Sequence, residues 1–269
     1  MKIYLVELID IDVLNKLKEK FTITNVLEES DIVITRNLKV DKRFIDKAKL
    51  LKCIAIHGTG ISEVDINYAK EKGIIVFNAP YQNYLSVAEF NIMLALEASR
   101  YNGVGNNLTN KNATILGAGH IGLKTKELLE NGFNVNCKLY RRNDDLKEAL
   151  KDSDFIFICM SLNDSTYHFF NEETLKFIKN CAVLINTARG DIVDEKALIP
   201  YLDNGHIKCY ASDVFSADPL KDDNPILLHN VIGYPHIASN TKEALSNIGS
   251  CLYEQIIDFT NGLKPKHLL

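Results

Sequence analysis

The 269 residues of this chain alternate between two sequence patterns, and this alternation limits its possible folds more than any other feature. Short apolar runs such as 31–36 are typical of buried strands, and the stretches between them place apolar residues at helical spacing. A repeated strand–helix–strand order predicts parallel sheets covered by helices on both faces, which is an α/β fold. The predicted strands are 2–8, 22–26, 31–36, 52–58, 74–78, 113–119, 135–140, 154–160, 182–188 and 208–214.

The alternation is interrupted once, after the fifth strand. The sequence Asn-Ala-Pro at 78–80 ends that strand, because proline cannot donate to a strand ladder and restricts the residue before it. A long apolar-rich helix is predicted at 86–100, with Ser86 as its N-cap and Glu89 completing a capping box. The segment rich in glycine and asparagine that follows this helix is predicted to be a loop.

This interruption predicts a boundary between two domains. Each half of the chain contains its own series of strands and helices, so we predict two doubly wound parallel-sheet domains at 1–84 and 85–241. The C-terminal segment, 242–269, has a long helical pattern after a proline. We expect this helix to return to the first domain.

Composition excludes several classes of function. The formal net charge of −4 provides no basic surface for wrapping nucleic acid. The N-terminus lacks the apolar run of a signal peptide, and no stretch approaches the roughly 18 apolar residues that span a membrane. We therefore expect a cytoplasmic protein without nucleic-acid or membrane partners. The six cysteines occur singly without a C-x-x-C pair, which predicts reduced, buried thiols and no metal site.

A glycine motif of the form G-x-G-x-x-G occupies 117–122. It follows an apolar strand and precedes an amphipathic helix, which is the context in which the motif binds dinucleotides. Gly117 permits a tight turn, Gly119 lets the backbone approach a pyrophosphate, and Gly122 lets the helix pack closely on the strand. The phosphates would then lie at the helix N-terminus, where free N–H groups and the helix dipole favour negative charge.

The end of the next strand bears on which dinucleotide binds. An NAD site usually has an acidic residue about 20 residues after the motif, but no acid occurs between Gly132 and Asn143. Arg141 and Arg142 occupy this place, and guanidinium groups pair well with a 2′-phosphate. The sequence therefore favours NADP(H), with NAD(H) as the alternative if the arginines are only solvated charges or Asp144 serves as the acid.

Several segments, in one order along nearly the whole chain, closely resemble the D-isomer-specific 2-hydroxyacid dehydrogenases. This resemblance implies a flavodoxin-like substrate domain followed by a Rossmann dinucleotide-binding domain. It also implies hydride transfer between NAD(P)H and a small 2-keto or 2-hydroxy acid of D-stereochemistry, with the enzyme acting mainly as a reductase. The segments that carry the resemblance are 58–60, 64–65, 78–80, 86–89, 186–194, 212–219 and 235–238.

The resemblance implies three catalytic residues. Arg189 would hold the carboxylate and carbonyl oxygen of the substrate through its planar guanidinium group. His236 would protonate the alkoxide that hydride transfer leaves, or accept a proton in the oxidation direction. The family pairs this histidine with a glutamate, and the matching residue here is Asp218, which is one methylene shorter. With the shorter side chain, the pair forms only if the two backbones lie closer together.

The same resemblance implies the binding residues. Thr59 and Gly60 would offer backbone N–H groups to the substrate carboxylate, and Asp213 would hold the nicotinamide carboxamide. An alternative for Asp213 is that it caps a neighbouring turn. The remaining residues expected to line the dinucleotide are His120, Ile121, Met160, Thr187 and Ala188.

The sequence leaves two other functions open. A phosphoglycerate dehydrogenase would need basic residues near the substrate phosphate, for which Arg36, Lys39 and Arg100 are available. A catalytically weak, nicotinamide-sensing binding protein is the other alternative, because of the aspartate at 218. The identity of the acid and the physiological direction stay open. A homodimer is expected, although the segment between Arg100 and the glycine motif, which helps form the dimer in the family, is short.

Overall fold

A computed structural model describes residues 1–7, 9–36, 38–217 and 220–269 of the chain. It divides into two compact units, one formed by 1–83 with 240–269 and the other by 84–239. Each unit contains one sheet in which every strand pairing is parallel. The predicted fold class, two doubly wound parallel-sheet α/β domains, is confirmed.

The first unit has a five-stranded sheet in the order β2-β1-β3-β4-β5, which is the flavodoxin-like order. Both faces are covered, so three of these strands are buried along most of their length, as expected for a parallel sheet. The strands are β1 (Lys2–Leu5), β2 (Thr22–Thr24), β3 (Ile32–Thr35), β4 (Cys53–Ile56) and β5 (Ile75–Asn78). The helices are α1 (Ile11–Lys20), α2 (Lys42–Lys47), α3 (Ile66–Glu71) and the C-terminal α9 (Lys242–Thr260).

The second unit has a six-stranded sheet in the order β11-β10-β9-β8-β6-β7. The order reverses between β6 and β8, and ligands of such sheets bind outside the carboxyl ends of the strands at this switch point. The strands are β6 (Asn112–Leu116), β7 (Asn136–Tyr140), β8 (Phe155–Ile158), β9 (Ala182–Asn186), β10 (Ile207–Ser212) and β11 (Val231–Gly233). The helices are α4 (Tyr84–Ser99), α5 (His120–Phe133), α6 (Leu146–Leu150), α7 (Glu172–Leu175) and α8 (Glu195–Asp203).

Three details differ from the sequence-based expectations. Strand β11 was not predicted, because a strand of three residues is too short to show a strand pattern. Helix α4 begins at Tyr84, so Ser86 lies inside the helix and is buried rather than acting as its N-cap. The C-terminal helix ends at Thr260, and the rest of the 242–269 segment is not helical. Instead, the N–H of Leu269 donates to the carbonyl of Val76, because this segment runs beside β5.

The cysteines are all unpaired, but their burial varies. Cys53 and Cys209 are buried in the two cores, whereas Cys181 is exposed. The prediction that the cysteines are buried is therefore wrong for Cys181. Among the helices of the described ranges, none combines the length and apolar character needed to cross a membrane.

Candidate active site

The glycine motif forms a tight turn between β6 and α5. Gly117 has φ +110°, and a Cβ atom there would meet the carbonyl oxygen of Cys159 at 2.7 Å. A Cβ on Gly122 would meet the carbonyl oxygen of Gly117 at 2.0 Å, so neither position accepts a side chain. A Cβ on Gly119 would meet nothing within 4 Å. The turn therefore has the close packing and the open approach that a pyrophosphate requires.

The N-terminus of α5 fits an anion. Gly119 is the N-cap and offers no side-chain hydrogen bond, so the first amides of α5 have no side-chain cap. His120 is exposed at the start of the helix, with its ring centroid 5.9 Å from that of Tyr84. Ile121 and Met160 are half-buried, and Met160 follows β8 at the switch point. These residues fit the phosphates and sugars of a dinucleotide.

Arginines and an acid share the carboxyl end of β7. The N–H of Gly117 donates to the carbonyl of Tyr140 at 3.2 Å, so the residues after Tyr140 lie beside the glycine turn. Arg141 and Arg142 are exposed there. The carboxylate of Asp144 accepts the Arg141 backbone N–H at 2.7 Å. Both alternatives for the ribose end of the cofactor, guanidinium and carboxylate, are therefore present at this edge.

The loop that carries Arg189 is fixed by the buried side chain of Asn186 at the end of β9. Its Oδ1 accepts the N–H of Ala188 at 3.0 Å, and its Nδ2 donates to the carbonyl of Arg189 at 2.9 Å. The same Nδ2 donates to the Tyr210 hydroxyl at 3.1 Å. The loop is thus bound to its own strand and to β10 through one amide group.

Arg189 itself is half-buried, and one guanidinium nitrogen donates to the carbonyl of Ala188 at 2.7 Å. In the described part of the chain it forms no ion pair with a carboxylate. Its positive charge therefore has no carboxylate partner among these residues, which leaves it able to bind a substrate carboxylate.

Gly190 brings the loops after β9 and β10 together. A Cβ at this position would meet the backbone carbon of Phe215 at 2.0 Å, so only glycine allows the two backbones to lie this close. Glu195 strengthens the contact, because its carboxylate accepts the N–H of Ser216 at 2.7 Å. Burial raises the pKa of the Glu195 carboxyl. The Arg189 loop is thereby held against the segment that leads toward Asp218.

His236 lies in a turn that Asp213 holds in place. The two carboxylate oxygens of Asp213 accept the N–H groups of Ile237 at 2.7 Å and Ala238 at 2.8 Å. The Asp213 carbonyl accepts the N–H of His236 at 2.9 Å. His236 has φ 59°, a left-handed conformation that costs energy for a residue with a Cβ. Three hydrogen bonds to one buried residue keep it there.

These contacts match the alternative interpretation of Asp213, in which it caps a turn. Its role toward a nicotinamide carboxamide stays a prediction. Asp218, the expected partner of His236, lies outside the described residues. The pairing of these two side chains therefore also stays a prediction.

The loop at Thr59 and Gly60 lies in the first unit, after β4. Its backbone is held by Asn78, whose Nδ2 donates to the Thr59 carbonyl at 3.0 Å. Asn78 is in turn bound through its own carbonyl by Gln255 of α9 at 2.9 Å. Thr59 is exposed, and its hydroxyl donates to the Asn83 side chain at 3.2 Å. The loop has a fixed backbone with an accessible surface.

The residues that hold the site together, including Asn91, Asn186 and Glu195, were not predicted from the sequence. The first two are fully buried amides. Their signal in the sequence is a polar residue at a position whose neighbours are apolar: Asn91 lies within a largely apolar helix and Asn186 ends a buried strand. A buried polar residue of this kind needs hydrogen-bond partners, and here several of those partners lie in a loop of the candidate site.

Comparison with known proteins identifies relatives over most of the chain. A family model for the NAD-binding domain of D-isomer specific 2-hydroxyacid dehydrogenases matches residues 87–238. The D-3-phosphoglycerate dehydrogenase of Methanocaldococcus jannaschii is 33% identical, over 86% of this chain and 50% of that protein. The hydroxypyruvate reductase of Thermotoga maritima is 31% identical, over 92% of this chain and 90% of that protein. The chain spans about half the length of the phosphoglycerate dehydrogenases that it matches.

Solved structures show the same fold. A protein from Thermus thermophilus superposes with a TM-score of 0.92 over 100% of both chains, at 23% identity. An acyclic imino acid reductase in complex with NADPH and D-arginine superposes with a TM-score of 0.87 over 100% of both chains, at 26% identity.

Proposed function

Because this chain belongs to the D-isomer-specific 2-hydroxyacid dehydrogenases, we propose that it reduces a small 2-keto acid with a nicotinamide cofactor. The observation that carries the proposal is the fixing of Arg189 and His236 at the carboxyl ends of one sheet. Asn186 holds the Arg189 loop after β9, and Asp213, after the adjacent β10, holds the His236 turn. Preorganised charge and hydrogen-bonding groups are what catalysis of this kind requires.

In this proposal each residue acts on the substrate in a defined way. Arg189 binds the carboxylate and the carbonyl oxygen and so orients C2. A reduced nicotinamide cofactor, held at the glycine turn, would supply the hydride. His236 gives its proton to the carbonyl oxygen as this oxygen becomes an alkoxide, which yields the 2-hydroxy acid. Asp218 would orient His236, and Asp213 would contact the carboxamide as well as the turn. The first unit would bind the substrate carboxylate through the N–H groups of Thr59 and Gly60.

We also propose that the cofactor is NADP(H). Support comes from the exposed Arg141 and Arg142 beside the glycine turn, and an imino acid reductase of the same fold is complexed with NADPH. The competing observation is Asp144, whose carboxylate lies at the same edge. A carboxylate that reached the ribose would repel a 2′-phosphate and favour NAD(H).

Replacing both arginines tests the cofactor preference. In the Arg141→Ser, Arg142→Ser double variant we expect the KM for NADPH to rise at least ~10-fold, because charge-assisted contacts to the 2′-phosphate are lost. The KM for NADH should change little. Asp144→Asn is the matched control, and its effect should fall on NADH if the carboxylate binds the ribose instead. An unchanged NADPH:NADH preference in the double variant would contradict the proposal.

The activity is tested by following the absorbance of NADPH and NADH with a panel of acids. We expect reduction of at least one of glyoxylate, hydroxypyruvate, phosphohydroxypyruvate, pyruvate and 2-ketoisocaproate. Turnover of phosphohydroxypyruvate above the others would favour a phosphoglycerate dehydrogenase, which the similarity to the M. jannaschii enzyme supports as the second candidate. Binding of dinucleotide without reduction of any acid would contradict the proposed reductase activity and favour the nicotinamide-sensing alternative.

We propose in addition that the units correspond to a substrate domain and a dinucleotide-binding domain, and that the protein is a homodimer. The match of the NAD-binding family model to 87–238 supports the second assignment. Light scattering of the purified protein would measure the mass in solution, and a monomeric mass would contradict the dimer.

A further inference from the structure

A closed group of four side chains lies under the cofactor face of the second unit. Asn91 of α4 is at its centre, with 0% of its surface exposed. Its Nδ2 donates to the Thr125 hydroxyl at 3.0 Å and approaches the Cys159 sulfur at 3.6 Å. Its Oδ1 accepts from the Thr187 hydroxyl at 2.8 Å. One amide thus joins four segments that are far apart in sequence.

Each partner of Asn91 is, or lies within three residues of, a residue expected to contact the dinucleotide. Thr125 lies on α5, about one turn after the glycine motif, and Cys159 directly precedes Met160. Thr187 begins the loop that leads through Ala188 to the substrate-binding arginine. Asn91 itself is too deeply buried to touch a ligand, so any effect it has must act through these neighbours.

The group is a buried polar cluster in which the donor and acceptor atoms of the Asn91 amide all have partners. The other buried side chains of α4 are mostly small or apolar, so an apolar residue at 91 would be the simple choice. An amide placed there is stable only because its donor and acceptor are both used. Burial raises the pKa of the Cys159 thiol to about 12, so the sulfur stays protonated and adds no charge.

We propose that Asn91 is a positioning residue for the nicotinamide half of the cofactor site. It fixes the Thr187 end of the loop after β9, while Asn186 fixes the Ala188–Arg189 end through its own side chain. The loop is then held from both sides, by one hydrogen bond with Asn91 and two with Asn186. The proposal rests on the proposed function only in placing the nicotinamide against this loop.

The glycine turn does not depend on this contact in the same way. It is formed by the φ of Gly117, by the packing of Gly117 on the Cys159 backbone and by the packing of Gly122 on the Gly117 carbonyl. These are backbone contacts, and none of them uses the Asn91 amide. Loss of the Asn91 amide should therefore weaken the nicotinamide half of the site and leave the pyrophosphate half intact. A general loss of structure would weaken both.

The test compares two ligands that differ only in the nicotinamide. One is the reduced dinucleotide that the parent protein binds more tightly, and the other is the matching ADP-ribose or 2′-phospho-ADP-ribose. For Asn91→Leu we expect the Kd of the dinucleotide to rise about tenfold, the change that about one lost hydrogen bond produces. The Kd of the ligand without nicotinamide should stay within about twofold. Isothermal titration calorimetry measures both without any turnover.

Thr114→Val is the matched control, because Thr114, like Asn91, is a fully buried polar residue of the second unit. It hydrogen-bonds at 2.7 Å to the Ala149 carbonyl and to Ser153, away from the loop. This variant should lower the thermal midpoint without changing the ratio of the two Kd values. If Asn91→Leu does not fold, Asn91→Ser replaces it, since a serine hydroxyl is too short to keep both contacts.

Equal losses for both ligands, or no loss for the dinucleotide, would overturn the positioning role. A change of the ratio in Thr114→Val would overturn it as well, because the ratio would then report stability. These outcomes are independent of the reductase activity. A protein that reduced no acid but showed the selective loss in Asn91→Leu would retain the positioning role while the proposed function failed.

Discussion

Replacing Arg189 by alanine is expected to lower kcat/KM for the keto acid by about 10³-fold or more, the size of effect that loss of a preorganised charged donor produces. The guanidinium is half-buried and its only hydrogen bond among the described residues is to the carbonyl of Ala188. Its removal should therefore cost the fold little. The Kd of the nicotinamide cofactor should remain close to that of the parent, because the loop backbone is held by Asn186.

Two further variants make this result specific. Arg189→Lys keeps the positive charge but loses the planar pair of donors, so it should recover only part of the activity. Arg43→Ala removes an exposed arginine of α2 in the other unit and should leave kcat/KM unchanged. Turnover retained in Arg189→Ala would contradict the assignment of this residue to substrate binding. Steady-state kinetics over a range of keto acid concentrations separates KM from kcat in each variant.

The sequence predicted the fold because the features that define it are local. Each buried strand is a continuous apolar run, and the glycine turn is specified by residues within six positions of one another. Strand β11 escaped prediction for the opposite reason. Its three residues form a strand only by pairing with β10, through contacts such as Ser212 with Gly233. The apolar pattern of so short a segment contains too little information.

The sequence names candidates for the reactive residues, whose roles stay predictions, but it does not indicate the residues that hold them. Arg189 and His236 lie in recognisable motifs, whereas the contact between Asn91 and Thr187 joins positions almost a hundred residues apart. The role of Asp213 shows the same limit, since its carboxylate binds Ile237 and Ala238 after the next strand. Such contacts depend on the folded arrangement of several strands, which no local pattern specifies.

Replacing His236 by asparagine is expected to lower kcat by about 10²–10⁴-fold, which is the usual contribution of a positioned general acid. Asparagine is the informative substitution because it tolerates the left-handed backbone conformation found at this position, φ 59°. The turn and its hydrogen bonds to Asp213 should therefore survive, and the Kd of the cofactor and the thermal midpoint should remain close to those of the parent. An amide side chain cannot deliver the proton, so only the chemical step should suffer.

The complementary variant keeps the histidine and weakens the turn. In Asp213→Asn one acceptor oxygen becomes an NH₂ group, which would face the N–H of Ile237 or Ala238 and cannot accept from it. We expect kcat to fall and the thermal midpoint to drop together, because a buried N–H loses its partner. His236→Asn should show the loss of kcat without the loss of stability. If His236→Asn retained the parent kcat, a solvent water would have to be the proton donor, and the turn held by Asp213 would serve only the fold.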